Sequence, residues 1–221
     1  LVKSFSGRAA VVSAPWNGKD SNNKQVPDGT YTWTINATDP NTQAQAQPVS
    51  GTIKVDTVID TSEIREPLSG ATLSGTVTIK GLANDTNLLT PYYAWRLDYG
   101  QGTNPTSWTN LGAGTSAAVL DAFGNPPTLF NWNTSQRTNG PYVLRLQVYD
   151  QAGNVSDTRI PVTLYNIAIN NARATDTIFS PNQDGAKDLT TITASVTEPV
   201  DWTVEFKDSG NQVLRTIASA Q

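Results

Sequence analysis

Thr30-Tyr-Thr-Trp-Thr-Ile-Asn-Ala-Thr38 alternates in polarity along its whole length. Tyr31, Trp33, Ile35 and Ala37 fall on one face of an extended chain, and Thr32, Thr34 and Asn36 on the other. A period of two is the signature of a strand with one buried and one wet face. The device recurs from Tyr142 to Asp150, where Tyr142, Leu144, Leu146 and Val148 oppose Val143, Arg145, Gln147 and Tyr149. It recurs again where Trp202, Val204 and Phe206 oppose Thr203, Glu205 and Lys207. Weaker strands are expected at residues 48–55, 75–81, 92–99, 115–120, 156–165, 189–196 and 212–218. Clusters of Thr, Asn, Gly and Pro punctuate these runs, and no segment carries a helical period, so the predicted fold class is all-β.

Composition narrows the function. A chain of 221 residues accommodates two sandwich domains of about 100 residues each. Its 6 Trp, 7 Tyr and 5 Phe supply large buried areas that offset a modest apolar fraction. The net charge of −4, without any basic cluster, argues against nucleic acid and anionic membranes as partners. The absence of Cys and His removes disulfides, thiolate nucleophiles, the usual general base and the commonest transition-metal ligand. No catalytic residue is therefore assigned, and the chain is not expected to be an enzyme. Methionine is absent too, even at position 1, which suits a mature or internal segment of a larger protein. No stretch approaches the roughly 18 apolar residues that span a bilayer, so any membrane anchor is expected outside this chain.

Internal similarity is the most informative feature. Val213-Leu-Arg-Thr-Ile-Ala-Ser219 resembles Leu1-Val-Lys-Ser-Phe-Ser-Gly7 position for position, as if the chain were one period of a longer repeat. More distantly, Trp16-Asn17, Gly29-Thr-Tyr31 and Asp39 resemble Trp132-Asn133, Gly140-Pro-Tyr142 and Asp150. In each copy the Gly follows polar residues in a turn that favours positive φ, an inward aromatic opens the strand, and the Asp caps the next turn. Burial explains both Tyr residues without a ligand.

The run from Trp16 to Asp39 resembles the second half of the Ig-like domain first described in the flagellar hook-capping protein. Phe179-Ser-Pro-Asn-Gln-Asp-Gly-Ala-Lys-Asp188 resembles the opening of that domain's first half. Tyr92-Tyr-Ala-Trp-Arg-Leu-Asp-Tyr99, Trp108 and Asp150-Gln-Ala-Gly-Asn154 are similar to phrases of the broader bacterial Ig-like and fibronectin-like group. The resemblance implies Ig-like sandwiches: a second half at residues 1–56, a complete domain at 57–166 and a first half at 167–221. The halves stand in reversed order. An isolated half leaves strand edges unpaired and one face apolar, so the two are expected to pack together when they can reach, within one chain, between neighbouring molecules, or along a tandem array. The family implies structural and adhesive roles in large extracellular or cell-surface bacterial proteins, and no catalytic residues.

Two candidate sites remain. Asn182, Asp184 and Asp188 place oxygens before and after Gly185 as calcium loops do, although Thr191 stands where an EF-hand would close with Glu. An Asx-rich turn has the same letters. No other cofactor is expected. Trp95, Tyr99 and Trp108 could form an aromatic platform for a glycan, provided that they face solvent. Asp60, Glu63 and Glu66 read as a solvated connector before Pro67. Asn36, Asn84, Asn133 and Asn154 head glycosylation-type triplets that arise readily by chance in so Asn- and Thr-rich a chain. The leading expectation is a structural, spacer or presentation module; the alternative is a carbohydrate-binding module.

Overall fold

The computed structural model describes residues 1–90 and 93–218. Tyr92, at the head of the expected strand 92–99, and Ser219, the last residue of the terminal similarity, lie outside the described residues. Among the described residues there is no helix, and the chain is all-β. Its strands are β1 (Gly29–Ile35), β2 (Val49–Val55), β3 (Thr61–Glu66), β4 (Thr72–Leu73), β5 (Thr76–Asn84), β6 (Trp95–Gln101) and β7 (Thr109–Gly114). There follow β8 (Thr128–Asn133), β9 (Gly140–Val148), β10 (Thr158–Leu164), β11 (Ile169–Ala174), β12 (Ile192–Val196), β13 (Thr203–Lys207) and β14 (Val213–Ala218). Two compact units divide the chain: residues 1–71, 77–132 and 141–162 in one, and 72–76, 133–140 and 163 onward in the other.

The first unit contains the sandwich core. Its sheets run β10-β9-β6-β7 and β3-β5-β8. Alternation places Leu97 and Tyr99 of β6, and Tyr142, Leu144, Leu146 and Val148 of β9, in the interior with Ile79 of β5 and Trp132 of β8. Each such side chain stabilises the fold by about 1.5–3 kcal/mol through removal from water. Trp132 stacks on Tyr99 at 5.0 Å between centroids and meets Tyr142 edge-on at 6.0 Å and 70°. Gly114 is required on β7, because a Cβ there would sit 2.3 Å from the Trp95 ring, while one at Gly112 would press on Phe130 at 3.1 Å.

Also in this unit, β1 and β2 form an antiparallel pair with Tyr31 opposite Ile53, Trp33 opposite Gly51 and Ile35 opposite Val49. These residues share one face. The indole of Trp33 lies across Gly51, where a Cβ would approach to 2.4 Å. Trp16 meets Tyr31 edge-on at 5.4 Å and 67°, the same arrangement as Trp132 and Tyr142. Yet Trp33 is 40% and Ile35 42% exposed. Residues 1–7 form no strand; the Val2 carbonyl accepts a bond from the Ser21 amide, and Lys3 donates to the Asp20 carbonyl.

In the second unit, β4 lies parallel to the end of β10, with Leu73 beside Leu164. β11 pairs with β12 and β13 with β14, both antiparallel and both with one register shift. β3–β5 and β6–β7 have the same design, antiparallel with one shift each.

Residues 115–120 make no strand, contributing one bridge between Ala118 and Ala83. Thr61–Glu66, which reads as a solvated connector, is instead β3, paired with β5. It stands at a sheet edge, where charges such as Glu63 and Arg65 are tolerated and serve to block further pairing.

Candidate functional site

Polar side chains converge at the two connectors. The first spans Asp56 to Asp60. Asn87 donates through its side chain to Asp56 at 2.6 Å and through its backbone amide to Asp85 at 2.6 Å. The Asp60 amide donates to Asp85 at 3.2 Å, and Thr86 donates to Asp60 through both its amide and its hydroxyl at 3.0 Å. Asn154 gives its side-chain amide to the Asp56 carbonyl at 3.1 Å and to Asp150 at 2.6 Å, while its backbone amide reaches the other Asp150 oxygen at 2.7 Å. Strand ends and Asx turns place these residues: Asp85 follows β5, and Asp150 follows β9 and opens the turn that returns at Asn154.

Carboxylate oxygens of Asp56, Asp85 and Asp150 lie within 4.8 Å of one another. Asp85 and Asp150 are buried. Among the described residues no Lys or Arg forms an ion pair with any of the three; Lys54 stops at the Asn87 side-chain oxygen, 2.8 Å away. An oxygen-only set of this kind suits a hard cation such as calcium and no softer metal.

The second connector is held from Asn166. Its side-chain oxygen accepts from the Gly75 amide at 3.0 Å and the Thr134 hydroxyl at 3.2 Å, and its side-chain amide donates to the Thr134 carbonyl at 2.9 Å. Asn139 accepts from the Asn166 amide at 2.7 Å and donates to the Asn166 carbonyl and to Glu198, both at 3.3 Å.

The residues singled out from sequence lie elsewhere. In the exposed loop before β12, both Asp188 oxygens accept from the loop, one from the Gln183 amide and one from the Gly185 amide. Asp184 accepts from the Asn182 side chain and the Ala186 amide, and Asn182 accepts from the Asp184 amide. The Asn182 hydrogen bond, then the Ala186 amide, hold the Asp184 carboxyl below the usual carboxylate range. This is a self-satisfied Asx turn, and a cation there would have to displace those donors. Trp95 and Tyr99 are core side chains at 8% and 7% exposure, so neither offers a free face to a sugar. Trp108 is half-buried, with the Arg145 guanidinium 4.0 Å above its ring and that of Arg159 at 5.1 Å. Arg145 also pairs with the fully buried Asp98 at 2.7 Å, and Arg96 does so at 2.6 Å. The three rings make no platform.

Sequence reasoning did not bring Asp56, Asp85 and Asp150 together. Asp150 reads correctly as a turn cap, but the signal shared with Asp85-Thr-Asn87, an Asp followed closely by Asn, is common in any loop-rich chain.

No family model matches the chain, and no curated protein matches it. Among solved structures, the crystal structure of CopC from Methylosinus trichosporium OB3b aligns at 14% identity over 45% of this chain and 87% of that one, with a TM-score of 0.26. A likeness of that size carries no argument about fold or function.

Proposed function

We propose that this chain is a non-catalytic spacer or presentation module of a large extracellular or cell-surface bacterial protein. The observation that supports this reading is the pinning of both connectors. Flexible linkers are Gly- and Ser-rich and make few contacts. Here Asp56–Asp60 is tied through Asp85, Thr86, Asn87 and Asn154, and Asn166 through Gly75, Thr134 and Asn139. A spacer transmits position only if its joints resist bending, and side-chain hydrogen bonds across a joint supply that resistance.

Backbone 15N relaxation tests the reading. Amides of β1 and β2 are expected to tumble with those of β6 and β9 as one body. In Asn154→Ala, which removes the bond to the Asp56 carbonyl, β1 and β2 should gain faster independent motion while β6 and β9 keep theirs. Independent tumbling of β1–β2 in the unaltered protein would sink the spacer reading.

A further inference from the structure

We infer that the N-terminal segment of one molecule docks on the C-terminal segment of a second copy, completing a sandwich of the kind formed by β3 to β10. This goes beyond the spacer reading and does not depend on it. Three correspondences within the chain carry it.

First, β1 and β2 repeat β9 and β10. Gly29 and Gly140 both open their strands at positive φ, 152° and 128°. Tyr31 and Tyr142 both meet a Trp edge-on, at 67° and 70°. Asp39 and Asp150 both follow an isolated bridge, Thr38 to Gln45 and Tyr149 to Val155, and both cap the ensuing turn.

Second, β11 to β14 repeat β3, β5, β6 and β7 in order, pairing and register shifts. Trp95, Leu97 and Tyr99 on β6 are matched by Trp202, Val204 and Phe206 at the start of and along β13.

Third, each repeated part lacks what the other supplies. Trp132 is buried because Tyr99 stacks on it. Trp16, its counterpart, is only half-buried, and Phe206, the counterpart of Tyr99, is 37% exposed. The correspondence assigns Phe206 of one molecule to the Trp16 ring of the next.

Size and charge agree with a pair. Trp33, Ile35, Val49 and Ile53 line one face of β1–β2. In the C-terminal segment Ile169, Ile192 and Val196 of β11–β12, and Trp202, Phe206 and Ile217 on or beside β13–β14, are also apolar, and most of these side chains are about two-fifths exposed. With large side chains at ~150–250 Å² each, these offer on the order of 800 Å² of apolar surface. An interface about 57% apolar would then bury about 1,400 Å² in all, within the range of stable complexes. Residues 1–56 carry five Lys or Arg against four Asp, and residues 167–221 carry four against seven Asp or Glu, so the segments attract. The contact joins two different patches, so it is heterologous and runs head to tail, into a ring or an open chain.

Sedimentation velocity of the full chain across micromolar to millimolar concentration tests this, with Trp33→Asp and Phe206→Asp each breaking one face. The unaltered chain should gain mass in steps of one molecule as concentration rises. Each variant alone should stay monomeric, while their equimolar mixture should form dimers and nothing larger. Thr34→Asp, on the opposite face of β1, should associate as the unaltered chain does, and near-ultraviolet circular dichroism should show the buried aromatic cluster intact in all three variants. The inference is overturned if the unaltered chain stays monomeric throughout, if either single variant associates by itself, if the mixture stays monomeric, or if Thr34→Asp abolishes association too.

Discussion

β9 and β1 both open on a Gly followed two residues later by a Tyr, and they meet opposite fates. Tyr142, Leu144, Leu146 and Val148 are buried, whereas Trp33 and Ile35, two and four residues past Tyr31, stand two-fifths exposed. Both strands begin at a glycine of positive φ, both set a Tyr against a Trp, and both end in an Asp-capped turn. What differs is cover. β9 has β6 beside it and the sheet β3-β5-β8 in the same sandwich; β1 has β2. Local chemistry therefore sets strand, face and turn, while burial depends on strands far away in sequence.

The largest expected effect breaks the comparison at its Trp pair. Trp132→Ala should destabilise the chain by about 3–5 kcal/mol, as loss of a buried large side chain does. Trp16→Ala should cost about 1 kcal/mol or less, because its site is only half-covered. Urea unfolding monitored by circular dichroism measures both, and equal losses would mean that the N-terminal segment carries a core of its own.

Next comes the ion pair one register along. Asp98 is fully buried between Arg96 and Arg145, so Asp98→Ala leaves the Arg145 guanidinium without its counter-charge and should cost about 3–5 kcal/mol. Its counterpart Glu205 pairs with Lys207 at 3.0 Å with both side chains about two-fifths exposed, and Glu205→Ala should change stability by about 0–1 kcal/mol. The same unfolding measurement separates the two, and a large loss at Glu205 would contradict the account.

The smallest effect is one that the regions should share. Backbone amides of Thr42 and Asn41 hold the Asp39 carboxyl below the usual carboxylate range, those of the Asn125 turn do the same for Asp121, and Asn182 for Asp184. Each such group favours the folded chain above the ordinary Asp value near ~3.9, and that contribution is lost as pH falls through the lower folded value. Carboxyl 13C titration should show all three titrating below unstructured Asp, whichever region holds them. A normal value for Asp39 or Asp184 alone would mean that the end segments lack even their local turns.

This division explains what could be read in advance. The alternations at 30–38, 142–150 and 202–207 became β1, β9 and β13 within a few residues, because period two is a local property. β3 escaped because charge at Glu63, Arg65 and Glu66 resembles a linker, and β7 because Gly112 and Gly114 lower strand propensity for the sake of Phe130 and Trp95. The ring platform fails because Trp95 and Tyr99 lie on β6, where Leu97, Asp98 and Tyr99 are buried in succession, so both rings lie inside. The connector cluster was invisible, since Asp56, Asp85 and Asp150 approach only once β2, β5 and β9 are assembled.

Amide hydrogen exchange on dilute and concentrated protein tests the central claim most directly, that the end segments are folded locally but await cover. In dilute solution the amides of β6 and β9 should exchange only through global unfolding, while those of β1, β2 and β11 to β14 exchange through openings of much lower free energy. At high concentration the end strands should gain protection and β6 and β9 should not change. Protection of β1 equal to that of β9 in dilute solution would contradict the account.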